Sequence, residues 1–187
     1  MQTHYCKFGT INSNKVKTIH SASNNLSGVK KRKFSKILLA VDGSEESMAA
    51  AHYAVEIARK YDAELIAIHV ISAKLLGFEN TPQPNLFGLP ATPSSLNNVL
   101  ETSKQEAEHW LDKIKQKLLA DKVKLKTEVM IALKPMIAGE IVDYAQEQNV
   151  DLVVVGSKGR SGFKRVLLGS VATGVVTYAH CPVLVVK

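Results

Sequence analysis

From Lys36 onward the chain alternates between short, wholly apolar runs and longer stretches with helical spacing. Ile37 to Val41 is uninterrupted apolar sequence, as in a strand buried on both faces, and Asp42-Gly43-Ser44 behind it reads as turn and helix cap. Met48, Ala51, Val55 and Ala58 then recur at helical spacing to about Tyr61, and Glu64 to Ile71 is a second buried strand rich in β-branched residues. Residues 72–94 carry Pro82, Pro84, Pro90 and Pro93 with Gly77 and Gly88, so a long, lid-like loop is expected there. Leu96, Leu100, Ser103, Ala107, Trp110, Ile114 and Leu118 follow at steps of three and four, predicting a long amphipathic helix with Trp110 in its core stripe. Val123 to Ile131 alternates: Val123, Leu125, Thr127, Val129 and Ile131 share one face, and Lys124, Lys126 and Glu128 the other. This is a half-exposed edge strand. Pro135 suits the first turn of a third helix carrying Ile137, Ile141, Tyr144 and Ala145 on one side, and Asp151 to Val155 is a fourth apolar strand. A glycine-rich loop, a helix over Ser170 to Tyr178 and a final strand over Val183 to Val186 complete the chain.

The pattern βαβαβαβαβ predicts a single α/β domain: a doubly wound, five-stranded parallel sheet of order 3-2-1-4-5 with helices on both faces. The order reverses between the first and fourth strands, and ligands of such sheets bind in the crevice beyond the carboxyl ends of the strands at the reversal. Those ends are Asp42-Gly43 and Gly156-Ser157. The final strand, Val183 to Val186, lies at an edge yet is too apolar to face water, so it is expected to pair with a second copy of the chain.

Charge divides the chain in two. The net charge is +7, but residues 1–34 hold Lys7, Lys15, Lys17, Lys30, Lys31, Arg32 and Lys33 without a single acid, and residues 35–187 balance at 17 basic against 17 acidic. The folded part therefore has no bulk attraction for a polyanion, and residues 1–34 read as a disordered basic tail without the apolar core of a secretory signal. Lys30, Lys31, Arg32 and Lys33 are a candidate weak contact for nucleic acid or an anionic membrane surface. No apolar run approaches the ~18 residues needed to cross a bilayer. Cys6 and Cys181 are far apart and form no CxxC, which disfavours a disulfide framework or structural zinc and favours a reducing, cytoplasmic setting.

The chemistry is concentrated in Gly156-Ser157-Lys158-Gly159-Arg160-Ser161-Gly162 and in Gly169-Ser170, which opens the last helix. Glycines admit positive φ and close approach of backbone amides, and the free N–H groups at Ser170 and Val171 point into the crevice, so the spacing favours an anion site. Ser170 can cap its helix or bond a phosphate oxygen, and Lys158, Arg160, Lys164 and Arg165 add positive charge. Read alone, the loop is equally compatible with a solvated glycine-rich turn.

Gly156-x2-Gly159-x9-Gly169-Ser170 resembles the G-2x-G-9x-G-S/T signature of the ATP-binding branch of the universal stress proteins. Lys36-Ile-Leu-Leu-Ala-Val-Asp42-Gly-Ser44, His69-Val70 and Cys181-Pro182-Val183-Leu184-Val185-Val186 extend the resemblance over residues 36–187. The resemblance implies an adenine nucleotide alpha hydrolase-like (HUP) fold over 35–187, in which Ala40, Val41 and Asp42 line adenine and ribose and Val70 covers the base. Gly156, Gly159, Arg160, Gly169, Ser170 and Val171 would hold ribose and phosphates. It also implies ATP or AMP as ligand, magnesium with the triphosphate, and a homodimer joined through Val183 to Val186. Members that grip a triphosphate often carry a second hydroxyl just beyond the Gly-Ser-Val step, where this chain has Ala172 and then Thr173, so the choice between ATP and AMP stays open.

Catalytic machinery is not legible. There is no Gly-Lys dipeptide and hence no Walker-type loop, no GxGxxG, and neither the HxGH nor the SGGxDS motif of enzymes sharing the broad fold. Asp42 is the one carboxylate expected in the crevice, suited to a ribose or adenine edge, with helix capping as its structural alternative. His69 is expected to bond a backbone partner inside a buried strand, and Cys181 to be an inert thiol beside the last strand. The expected function is that of a nucleotide-binding regulatory dimer acting in stress response. The alternatives are an ATP-hydrolysing or phosphotransfer enzyme of the same fold, or a nucleotide-free scaffold working through its basic tail.

Overall fold

The structure is a computed structural model that describes residues 34–72, 93–118, 123–132, 136–160 and 168–187, together with the backbone of Lys17 and Thr18. Most of the basic tail including Lys30 to Lys33, most of the loop after the second long strand, and Pro135, Ser161, Gly162, Lys164 and Arg165 lie outside these residues. The elements are β1 (Lys17–Thr18), β2 (Lys36–Ala40), α1 (Glu45–Tyr61), β3 (Glu64–Ser72), α2 (Pro93–Leu118), β4 (Leu125–Ala132), α3 (Ile137–Glu147), β5 (Leu152–Gly156), α4 (Ser170–Tyr178) and β6 (Val183–Val186).

The sheet runs β1-β6-β5-β2-β3-β4, and its five parallel members reproduce the expected 3-2-1-4-5 order with the reversal between β2 and β5. Ile37, Leu39, Leu65, Ala67 and Val154 face α1 and α2, whereas Leu38, Ile66, Ile68, Val153 and Val155 face α3 and α4. Both faces of the central strands are thus covered, which is why those strands are continuously apolar. Among the described residues no helix is long and apolar enough to cross a membrane.

The helices differ from expectation in instructive ways. The buried face of α1 is Ser47, Ala50, Ala51, Ala54 and Ala58, with Met48 and Val55 only partly buried. Small side chains let the helix sit close on the sheet: a Cβ on Gly156 would lie 2.8 Å from the Ser47 backbone nitrogen. Ser44 caps α1 by accepting the Ser47 N–H, Glu45 and Glu46 occupy the first turn, and Asp62 closes the helix in the left-handed region at φ 52°. Helix α2 begins at Pro93, three residues before the apolar period starts, because proline fits a first helical position whose N–H has no partner anyway. Strand β4 starts two residues later than the alternation suggests and ends at Ala132, whose side chain is buried with α3. It forms one edge of the sheet as expected.

The other edge is where the sequence reading falls short. No element was expected in residues 1–34, yet Lys17 and Thr18 pair antiparallel with Val185 and Leu184 of β6. An apolar edge strand is a template for any extended segment, and here the same chain supplies one.

Candidate functional site

A cavity of about 280 Å³ opens beyond the carboxyl ends of β2, β3 and β5 and is bounded by α3 and the start of α4. Ala40, Val41 and Asp42 reach it from β2 and its loop, Val70 from β3, Gly156, Gly159 and Arg160 from β5 and its loop, and Gly169, Ser170 and Val171 from the start of α4. All ten residues singled out in the sequence therefore line one concavity. Ile68, Ile137, Ile141 and Val155 give it an apolar wall, opposite the backbone-rich end at the glycines.

The glycines act through close approach rather than through positive φ. Gly156, Gly159 and Gly169 all lie outside the left-handed region, and Gly43, at φ 79°, is the glycine that occupies it among the described residues. A Cβ on Gly159 would stand 2.6 Å from Asp42 Oδ2. On Gly169 it would meet nothing closer than 3.5 Å, an ordinary contact with the Ser157–Lys158 backbone. Gly169 N–H donates to the Ser157 carbonyl at 2.7 Å, folding the loop back onto the end of β5.

Ser170 does not cap α4. The cap position is Gly169, which has no side chain to offer, and Ser170 is the first helical residue. The N–H groups of Ser170 and Val171 consequently have no acceptor among the described residues, and both residues line the cavity. A helix start in this condition attracts an anion.

Asp42 fastens the two loops together. Its Oδ1 accepts the Ser44 N–H at 3.1 Å and the Ser44 hydroxyl at 2.5 Å, while Oδ2 accepts the Arg160 N–H at 3.1 Å. Helix capping falls to Ser44 instead. The Arg160 guanidinium turns onto α2: Nη1 donates to Glu106 Oε2 at 3.1 Å, and the group lies 5.0 Å from the centre of the Trp110 ring.

Three residues at or beside the cavity, Trp110, Glu106 and Ser157, are not among the site residues expected from the sequence. Trp110 packs against the core as expected, but it also touches two residues that line the cavity, with its ring edge-on to His69 at 5.2 Å and beneath the Arg160 guanidinium, and it lies close against Gly43. Glu106 stands one helical turn before it, an i, i+4 spacing that could have flagged the pair. Ser157 is buried and lines the cavity, yet its hydroxyl has no hydrogen-bond partner among the described residues, an uncommon condition for a buried polar atom. Its place between two glycines of the signature was the available signal.

His69 Nδ1 lies 2.6 Å from the Val41 carbonyl, the backbone partner expected for it. Burial pushes its pKa below the usual histidine value, against the opposing pull of the Val41 carbonyl and Asp42. A neutral ring donates Nδ1–H to Val41 and leaves Nε2 as an acceptor. The unfolded chain takes up the proton first, so His69 contributes stability above pH ~6.5 that is lost as pH falls through the lower folded-state value. His69→Gln is expected to flatten the fall of thermal midpoint between pH 7 and 5; an unchanged slope would remove His69 from that account. Among the described residues no cluster of His, Cys, Asp or Glu could hold a metal ion, and burial raises the Cys181 thiol pKa, which keeps it protonated.

The sequence profile of the universal stress protein family matches residues 33–187. A universal stress protein of Methanocaldococcus jannaschii is 40% identical over 154 residues, covering 82% of each chain. In structure, the universal stress protein UspA of Lactobacillus plantarum matches with a TM-score of 0.65 at 29% identity, over 83% of this chain and 99% of that one. A universal stress protein of Archaeoglobus fulgidus, solved in complex with dAMP, shares the fold at TM-score 0.53 and 20% identity, over 83% of this chain and all of its own.

Proposed function

The chain belongs to the universal stress protein family, and from that premise we propose that it is a regulatory protein of the stress response that binds an adenine nucleotide, ATP or AMP, in the cavity beyond β2 and β5. The observation that carries this reading is the start of α4, where Gly169 leaves the helix without a side-chain cap and the N–H groups of Ser170 and Val171 open onto the cavity. Phosphates would take those N–H groups, and the apolar wall around Val70 would take the base, with Ala40, Val41 and Asp42 along the ribose. The relative captured with dAMP supports a ligand of this class.

The residues present fit such a ligand on two further counts: the Ser157 hydroxyl lacks a partner among the described residues, and the space beside Gly169 is one that a methyl group would fill. Asp42 is the one carboxylate lining the cavity among the described residues, so magnesium accompanying a triphosphate would be held mainly by phosphate oxygens and water. Among the described residues no hydroxyl lining the cavity is hydrogen-bonded to a side-chain base, which favours a binder over an enzyme, and the same proposal takes it to be cytoplasmic and to act by changing what it presents to partners. A homodimer through Val183 to Val186 belongs to the same proposal; a second copy's strand would compete with Lys17 and Thr18 for that edge. The basic run Lys30 to Lys33 is kept as a weak, salt-sensitive contact for polyanions.

Calorimetric titration with ATP, ADP and AMP, with and without magnesium, is expected to show saturable binding by a protein whose light-scattering mass is twice the 20.4 kDa chain. Absence of binding at millimolar nucleotide would remove the nucleotide reading, and a monomer at all concentrations would remove the dimer.

A further inference from the structure

Arg160 joins the cavity to α2. Its backbone N–H is held by Asp42, whose Oδ2 comes so close to Gly159 that a Cβ there would stand 2.6 Å away. Its side chain is held differently. Among the described residues the guanidinium is bonded to Glu106 alone, through Nη1, and it rests on the Trp110 ring. The Arg160 and Glu106 side chains are 58% and 47% exposed, and an ion pair so exposed changes an equilibrium by a factor of about five at most. A guanidinium has donors enough for bidentate phosphate binding, and one monodentate, half-exposed contact leaves most of them unused. Arg160 also lines the cavity, so a phosphate-bearing ligand and Glu106 can draw on the same cation.

We propose that Glu106 and Trp110 are positioning residues that set the phosphate preference of the cavity: they hold the Arg160 guanidinium on α2, and an anionic ligand recruits it only by displacing Glu106. Because α2 follows the loop after β3, releasing Arg160 also releases the tie between that helix and the glycine loop, which gives nucleotide occupancy a route to the surface of α2. The inference rests on the nucleotide reading above and adds to it which residues discriminate among nucleotides carrying different numbers of phosphates.

The test compares ATP, AMP and adenosine, each titrated into wild-type protein, Glu106→Gln, Arg160→Gln and the double variant. Glu106→Gln is expected to tighten ATP by about twofold to fivefold, AMP by less, and adenosine not at all. In the Arg160→Gln background the gain for ATP should vanish, because the coupling runs through the guanidinium. A merely structural role for Glu106 would move all three ligands together, and that result overturns the proposal. So does a gain for ATP that persists without Arg160, since it would mark simple removal of a negative charge near the cavity. Wild-type protein that binds none of the three ligands overturns the nucleotide reading itself, a failure distinct from unaltered discrimination in a protein that does bind.

Discussion

Gly156→Ala is expected to lower the thermal midpoint by roughly 6 to 12 °C, whereas Gly169→Ala, thirteen residues away in the same signature, shifts it little. The difference lies in what an added methyl group meets. At Gly156 it would press to 2.8 and 2.9 Å on the backbone of Ser47 and Glu46, in the first turn of α1, where no side chain can rotate away. The helix must lift off β5, and overpacking of that kind costs about 3 kcal/mol. At Gly169 the nearest atoms are 3.5 Å away and φ is −70°, so the cost is that of an alanine at an N-cap position, about 1 kcal/mol or less. The same methyl group, however, fills the space between the loop and the start of α4. Gly169→Ala should therefore lose at least roughly tenfold in affinity for AMP while remaining folded. Thermal unfolding and titration of the two variants check both halves, and a stable Gly156→Ala would show that the packing of α1 on β5 has been misjudged.

Asp42→Ala is expected to weaken nucleotide binding by about 10- to 100-fold, the range corresponding to loss of a charge-assisted hydrogen bond. The carboxylate serves Ser44, through its N–H and hydroxyl, on one oxygen and the Arg160 N–H on the other, and its removal takes away that tie between the glycine loop and the end of β2. Asp42→Asn should not rescue it. An amide turns one oxygen and one NH₂ group outward, and the NH₂ group would face an N–H that needs an acceptor. Affinities of Ala and Asn variants within twofold of wild type would show that the bridge is dispensable for binding.

How far these residues could be read from sequence depended on which physical rule acted on them. Continuous apolar runs such as Ile37 to Val41 announced central parallel strands because covering both faces leaves no polar side, and the reversal point then placed the cavity before any side chain was considered. The glycine spacing located the loop, and of the two uses expected of glycine there, close approach is the one seen, of Asp42 at Gly159 and of α1 at Gly156, while neither has a left-handed backbone. Trp110 was hidden because a tryptophan in an apolar stripe satisfies the core rule wherever along the stripe it falls, and only the approach of His69 and Arg160 from other elements ties it to the cavity. The pairing of Lys17 and Thr18 with β6 was equally invisible. A two-residue strand carries no period, and its partner lies more than 160 residues away in sequence.

The most direct test of the central claim is a set of two-dimensional amide spectra of ¹⁵N-labelled protein during titration with AMP. The account predicts that the largest shifts fall on Gly159, Gly169, Ser170 and Val171, with Asp42 and Val70 following and Val183 to Val186 unmoved. Shifts concentrated elsewhere, or none at millimolar AMP, would contradict the claim that the start of α4 is an adenine-nucleotide site.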